Sequence, residues 1–330
     1  MKKEPAIGIL FAAVTALPAW CAAQDQALRF LDVPPSAVSS TALRNVPLSP
    51  EARAGLEKAL EARDFTRAET ILVKEVDHNP KSAPLLMLAG GVFFLDGKYL
   101  NSAIAMKKAD ALGALDERGR FTLAMAYVAL NHRDWARPEL DQLAGSDPRN
   151  ALYPYWLSRL DYDAQQFNAA IVHARKAIEL DPNFMKAYDN LGLCYEALGK
   201  YDDAMQAYQE AVRLNRPSRT PSPWPALNAG ALLVKLSRPE EAEKYLRESL
   251  QDDPRFPQAH YQMGALFEKQ HKDAEALREL KQAATLNPSY AEPYYLLGKI
   301  YRRQGNKQDA ETAWSTFERL KKEHPQQGPH

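Results

Sequence analysis

The chain has 330 residues, and its 42 Lys and Arg are balanced by 42 Asp and Glu, so it lacks the basic excess that nucleic-acid binding needs. Apolar residues make up 45% of it, enough for a large core, and its two cysteines are Cys21 and Cys194. If Cys21 leaves with a signal, no intramolecular disulfide can form.

Residues 1–23 read as a secretory signal. Lys2 and Lys3 precede an apolar run from Ala6 to Leu17, and Cys21, Ala22 and Ala23 stand before Gln24. A bilayer takes about 20 apolar residues to cross, so the expectation is cleavage after Ala23 and an exported chain, periplasmic or secreted, without a membrane span. A lipid anchor on Cys21 is the alternative, but Pro18-Ala19-Trp20 does not look like a lipoprotein signal. Residues 24–48 follow as a linker, mostly irregular, in which Pro34, Pro35 and Pro47 interrupt apolar islands such as Leu28, Phe30 and Leu31. Those islands could dock on the first helix. Ser49-Pro50-Glu51 then combines a capping hydroxyl, a proline at the first helical position and a first-turn acid.

From Met185 onward a pattern appears. With Met185 as position 1, Tyr188, Leu191, Gly192 and Tyr195 fall at positions 4, 7, 8 and 11, and Gly199, Tyr201, Ala204, Tyr208 and Ala211 at 15, 17, 20, 24 and 27. Steps of 34 residues extend it to units 49–82, 83–116, 117–150, 151–184 and 185–218, then, past an insertion at 219–222, to 223–256, 257–290 and 291–324, with a tail at 325–330. Position 20 is Ala in seven units and Ser102 in the other, and position 8 is small in all but the first, where it is Leu56. Position 32 holds Pro80, Pro148, Pro182, Pro254 and Pro288, with Ala114, Arg216 and Lys322 departing. Small residues allow close helix crossings, and proline ends a helix.

These residues resemble the tetratricopeptide repeat, two antiparallel helices A and B joined by a tight turn. The resemblance implies an all-α fold, a right-handed superhelical solenoid of about eight such pairs. Within that register Pro138 lies inside helix B of the third unit, so that helix should start late, capped by Asp134, or carry a kink. The run from Arg216 to Pro225 reads as a surface loop, since the repeat restarts in phase.

No chemistry is apparent. His173, His260 and His271 show no zinc-motif spacing, Asp161 and Asp163 face different sides of a helix, and Gly90-Gly91 follows no strand. Cys194 stands between Leu191 and Tyr195 without a base at helical spacing and reads as a buried apolar residue. No enzyme, cofactor or metal is expected.

What remains is the wall that helix A forms in a solenoid, where the resemblance implies that positions 2, 5, 6, 9, 12 and 13 face a groove. Those slots hold Tyr155, Arg159 and Tyr162, then Lys186, Asp189 and Asn190, then Trp224 and Asn228. Gln258, Tyr261 and Gln262 follow, then Tyr295, Lys299, Arg302 and Arg303, so the wall turns basic toward the carboxyl end. Relatives that clamp an acidic carboxyl terminus carry a set of Lys, Asn and Arg of which only Asn190 is present. Relatives that bind peptide backbone carry an asparagine ladder at position 6, matched here by Asn190, Asn228 and Gln262, with Trp224, Tyr261 and Tyr295 as aromatic anchors. The expected function is a non-enzymatic scaffold that binds a protein or extended peptide in this groove. The alternatives are an accessory or assembly factor of an envelope or secretion complex whose activity is hidden, and a self-associating array holding its own linker.

Overall fold

The computed structural model describes residues 43, 46–113 and 115–323. The expected signal with Cys21, residues 24–42 and 44–45 of the linker, Ala114 and the chain from 324 onward lie outside the described residues.

Among the described residues the fold is all-helical, with sixteen α-helices and no strand. Two compact units divide at Ser146/Asp147. The first holds α1 (Pro50–Glu61), α2 (Phe65–His78), α3 (Ala83–Leu95), α4 (Tyr99–Ala111), α5 (Glu117–Ala129) and α6 (Arg133–Ser146). The second begins with α7 (Leu152–Asp163), α8 (Phe167–Leu180), α9 (Met185–Ala197), α10 (Tyr201–Asn215) and α11 (Trp224–Lys235). It ends with α12 (Pro239–Asp252), α13 (Pro257–Lys269), α14 (Asp273–Leu286), α15 (Ala291–Arg303) and α16 (Lys307–Glu323). Odd-numbered helices are the A helices and even-numbered ones the B helices of the expected repeats.

Position 20 is fully buried from Ala68 to Ala276, and Ala310 is 2% exposed. Position 8 shows why glycine recurs there. A Cβ on Gly230 would stand 2.8 Å from Leu246, one on Gly264 2.6 Å from Leu280, and one on Gly192 inside the Tyr208 ring. Each partner is the position-24 residue of the same unit. The A helix gives up its side chain so that a large one from the B helix can lie against its backbone. The fourth unit differs: position 8 is Ser158, whose hydroxyl donates to the Ala170 carbonyl at 2.7 Å, position 24 is the small Ala174, and both residues are fully buried.

The turn between A and B helices carries a second constraint. Position 15 has positive φ in all eight units, with Gly97, Gly199 and Gly305 at 73°, 71° and 80°, and Arg63, Asn131, Gln165, Ser237 and His271 at 54° to 60°. Five non-glycine residues therefore hold a left-handed conformation that costs an L-residue roughly 1–2 kcal/mol. The turn is imposed by the helix pair rather than chosen by the local sequence.

Helix α6 departs from expectation. It starts at Arg133, not late, and Asp134 lies in its first turn rather than capping it, although Pro138 is inside the helix. Proline removes one amide donor near the open amino-terminal end, and burial of Ala136, Leu140 and Leu143 holds the helix on its neighbours. The end of the linker is packed, not loose: Leu43 and Val46 are 2% and 4% exposed, and the Arg53 guanidinium donates to both their carbonyls. At the insertion, Asn215 Nδ2 donates to the Ser222 carbonyl and Oδ1 accepts from Ser222 N, both at 2.8 Å. The loop is thus closed at its ends, and α11 starts in phase.

Gly192→Ala is expected to destabilise the fifth repeat by about 1–3 kcal/mol, because the methyl group overlaps a fully buried ring. Ser237→Gly, by contrast, should stabilise its turn by roughly 1 kcal/mol as it relieves the left-handed residue. Amide exchange of α9–α10 and of α11–α12 reads both; a Gly192→Ala that leaves its repeat as stable as wild type, or a Ser237→Gly that weakens its turn, would contradict the packing described.

Candidate functional site

Every residue expected on the groove wall lies in the second unit, and the structure treats them unequally. Tyr155 is 3% exposed, with ring centroids 5.5 Å from Trp156 and 5.0 Å from Phe184. It is a core residue rather than a surface anchor, because position 5 of the fourth unit faces the following repeat. Trp224 and Tyr261 are half-buried, edge-on to Phe256 at 4.8 Å and to Tyr290 at 5.3 Å. Tyr295 is half exposed and tilted over Phe317.

The amide ladder needs correction. Asn190 is 1% exposed, and its Nδ2 donates to Ser158 Oγ at 2.6 Å, while Ser158 donates to the Ala170 carbonyl at 2.7 Å. Asn228 Nδ2 donates to Asp189 Oδ1 at 2.9 Å. Two of the three rungs therefore join repeat to repeat, and the third, Gln262, is half-buried. The cause is Ser158 at position 8 of the fourth unit, whose buried hydroxyl donates to the Ala170 carbonyl and accepts from Asn190.

The basic carboxyl end also needs correction. Lys299 Nζ lies 3.1 Å and Arg303 Nη1 2.8 Å from Glu268 Oε1, and Arg303 pairs with Asp273 as well. Glu268 is 5% exposed; burial pushes its carboxyl up, but Arg303 and Lys299 together hold it below the ordinary value. Arg302 lies over the Trp314 ring at 5.7 Å. This stretch is a neutralised ion-pair network between α13, α14 and α15, not an open cationic surface. Buried acids on helix A were the missing signal, since an acid in a repeat pattern otherwise reads as solvated.

Two polar atoms stay without partners on the helix-A side of α7 and α9. Arg159 is half-buried, its Nε is shut off from solvent with no hydrogen bond, and its guanidinium forms no ion pair among the described residues. Asn190 Oδ1 is likewise buried and unpartnered. Asp189, between them and Asn228, is pushed up to about 6 by burial, against the Asn228 hydrogen bond and the Arg159 charge. Cys194, fully buried nearby, is pushed up to about 12 by the same desolvation and is no nucleophile at neutral pH.

Two histidines pair with acids. His173 Nδ1 is 2.6 Å from Asp161, which is 1% exposed, and so ties α8 to α7. His260 Nδ1 is 2.8 Å from Glu279 and its Nε2 3.1 Å from the Pro254 carbonyl. Neither resembles a catalytic base facing a cleft. Among the described residues no three His, Cys, Asp or Glu side chains cluster as metal ligands, and no helix is long and apolar enough to cross a membrane.

Comparison with known proteins places tetratricopeptide repeats in the chain, with matches at residues 185–218, 272–305 and 294–326. Among curated proteins it is 26% identical over 175 residues to TPR repeat-containing protein YpiA of Bacillus subtilis, covering 52% of this chain and 40% of that protein. It is also 26% identical over 126 residues to Hsp70-Hsp90 organizing protein 3 of Arabidopsis thaliana, covering 38% and 22%. The chain thus spans less than half the length of these relatives. Among solved structures, PilW, a type IV pilus biogenesis factor, superposes with TM-score 0.55 at 22% identity, covering 64% of this chain and 94% of that one. A chain of the APC/C Cut9-Hcn1 hetero-tetramer gives 0.55 at 18%, covering 85% and 52%. At these identities the structural likeness establishes the fold.

The His260 contacts predict a pH dependence. Burial lowers its pKa, but the Glu279 and Pro254 acceptors more than offset this and hold it above the ordinary value. A raised histidine contributes stability that is complete below about 6.5 and is lost as pH rises through the folded value. Urea unfolding of the wild type should therefore weaken by about 1–2 kcal/mol above that point. His260→Gln should remove the trend; a variant with the wild-type slope would refute the assignment.

Proposed function

We propose that the chain is a non-enzymatic protein-interaction scaffold and that an extended segment of its partner lies along the helix-A groove of the second unit. The observation that carries this reading is the half-buried set Trp224, Tyr261 and Gln262 on the A helices of successive repeats, which offers the aromatic and amide chemistry that extended peptides use. The tetratricopeptide repeats and the role in the name of the Arabidopsis relative, an organizing protein, support the scaffold reading.

We further propose that the protein works outside the cytosol, on the strength of residues 1–23. Mass spectrometry of the cellular protein should find Gln24 as its first residue; intact Met1 would overturn export, and lipid on Cys21 would replace free release by anchoring.

A displayed library of random dodecapeptides selected on the full chain tests the groove. Selected peptides should bind Tyr261→Ala/Gln262→Ala more weakly by about 1–3 kcal/mol at unchanged helix content, and bind Ile104→Ser, altered on α4 of the first unit, as they bind wild type. Calorimetric titration reads both. Unaltered affinity for the double variant would remove peptide binding from this face.

A further inference from the structure

The first unit keeps an apolar cleft open to solvent. About 330 Å³ of space lies among Val73 and Val76 of α2, Leu86 and Phe93 of α3, and Ile104 and Lys108 of α4. Lys108 is the one charged residue of its lining. Ile104 is 41% exposed, and Leu100, one turn before it on the same face of α4, is 59% exposed. A contiguous apolar surface of this kind marks a place where something docks. The volume is at the low end for a ligand site, so it suits a few side chains from one short segment.

The chain itself brings a matching segment to this place. Leu43 and Val46 belong to the same buried cluster as Val76, Leu86 and Phe93. Ser49 Oγ donates to Glu75 Oε1 at 3.0 Å, and Glu75 is the neighbour of Val76. The polypeptide ahead of α1 thus enters the first unit against the half of α2 that lines the cleft. Earlier in the sequence, outside the described residues, stands the run Leu28-Arg29-Phe30-Leu31-Asp32-Val33. From Leu31 to Leu43 there are 12 residues to run, which extend to about 40 Å. Helix α2, with 14 residues, is about 21 Å long, so reach does not exclude the cleft. Charge favours it, because Asp32 sets a carboxylate directly after the apolar group and Lys108 is a cation of the lining.

We propose that the cleft is a docking site for a short apolar segment followed by an acid, and that its occupant is the chain's own Leu28–Val33. The segment then lies between α2 and α4 rather than on the first helix. Tethering decides between this occupant and a free peptide of the same chemistry, since a short flexible linker holds its end at about millimolar effective concentration. The site lies wholly in the first unit, and it stands or falls apart from the groove of the second.

The test is photo-crosslinking in the full chain with Phe30→p-benzoylphenylalanine. Irradiation of the dilute protein should join position 30 to α2, α3 or α4 within one molecule, at residues lining the cleft, as peptide mass spectrometry reads. Ile104→Asp, which sets a carboxylate in the cleft against Asp32, should remove that product with unchanged circular dichroism. Leu28→Ser/Leu31→Ser, made beside the native Phe30, should speed amide exchange in α4 and leave α15 and α16 as in wild type, a readout independent of the bulky label. Products on α1 alone, on the second unit or between two copies overturn the assignment. So do the absence of a product at the cleft, a yield indifferent to Ile104→Asp, and α4 exchange unaltered by the double variant.

Discussion

The crossing between positions 8 and 24 is the contact on which the rest of the structure depends. A large side chain of helix B lies on a bare stretch of helix A, Tyr208 on Gly192 and Leu246 on Gly230. This brings the two backbones close, and the left-handed residue at position 15 then follows from the need to reverse the chain in so few residues. Closeness at the crossing also buries position 20, so in the units that carry glycine at position 8 three sites share one geometric cause. The helical cost of glycine, about 1 kcal/mol against alanine, is offset by the ring or branched side chain it admits.

That cause explains what was legible in the sequence. Positions 8 and 20 need small residues whatever surrounds them, so Gly192, Gly264 and the column from Ala68 to Ala310 stand out. Position 15 was legible only where it is glycine; Gln165 and Ser237 adopt the same conformation with no mark in their identity, because the helix pair enforces it. The end of the linker was hidden for a similar reason, since Leu43 and Val46 are held by a guanidinium, Arg53, that a local pattern does not connect to them.

The candidate site was legible as a face but not as chemistry. Arg159, Asp189 and Asn190 were placed on helix A by register alone, yet which atom of Asn190 finds a partner depends on Ser158, 32 residues earlier. Likewise the basic run of Lys299 and Arg303 looked cationic until Glu268, 31 and 35 residues before them, was seen to be buried beneath both. In a repeat array one helix A faces the next across a whole unit, and pairings at that distance are set by superposition of repeats rather than by any local motif.

The Asn215 clasp at the insertion has an architectural consequence. Its two 2.8 Å bonds to Ser222 fix the ends of the loop and leave residues 217–221 outside the helices, while Arg216 pairs with Glu248 on α12. Stacking of α11 on α10 is therefore indifferent to how much chain runs between the clasped ends. The same position could carry a longer excursion, even a folded module, as a side branch from an unbroken column of repeats, so the array can gain a new appendage without renumbering the contacts that hold it upright.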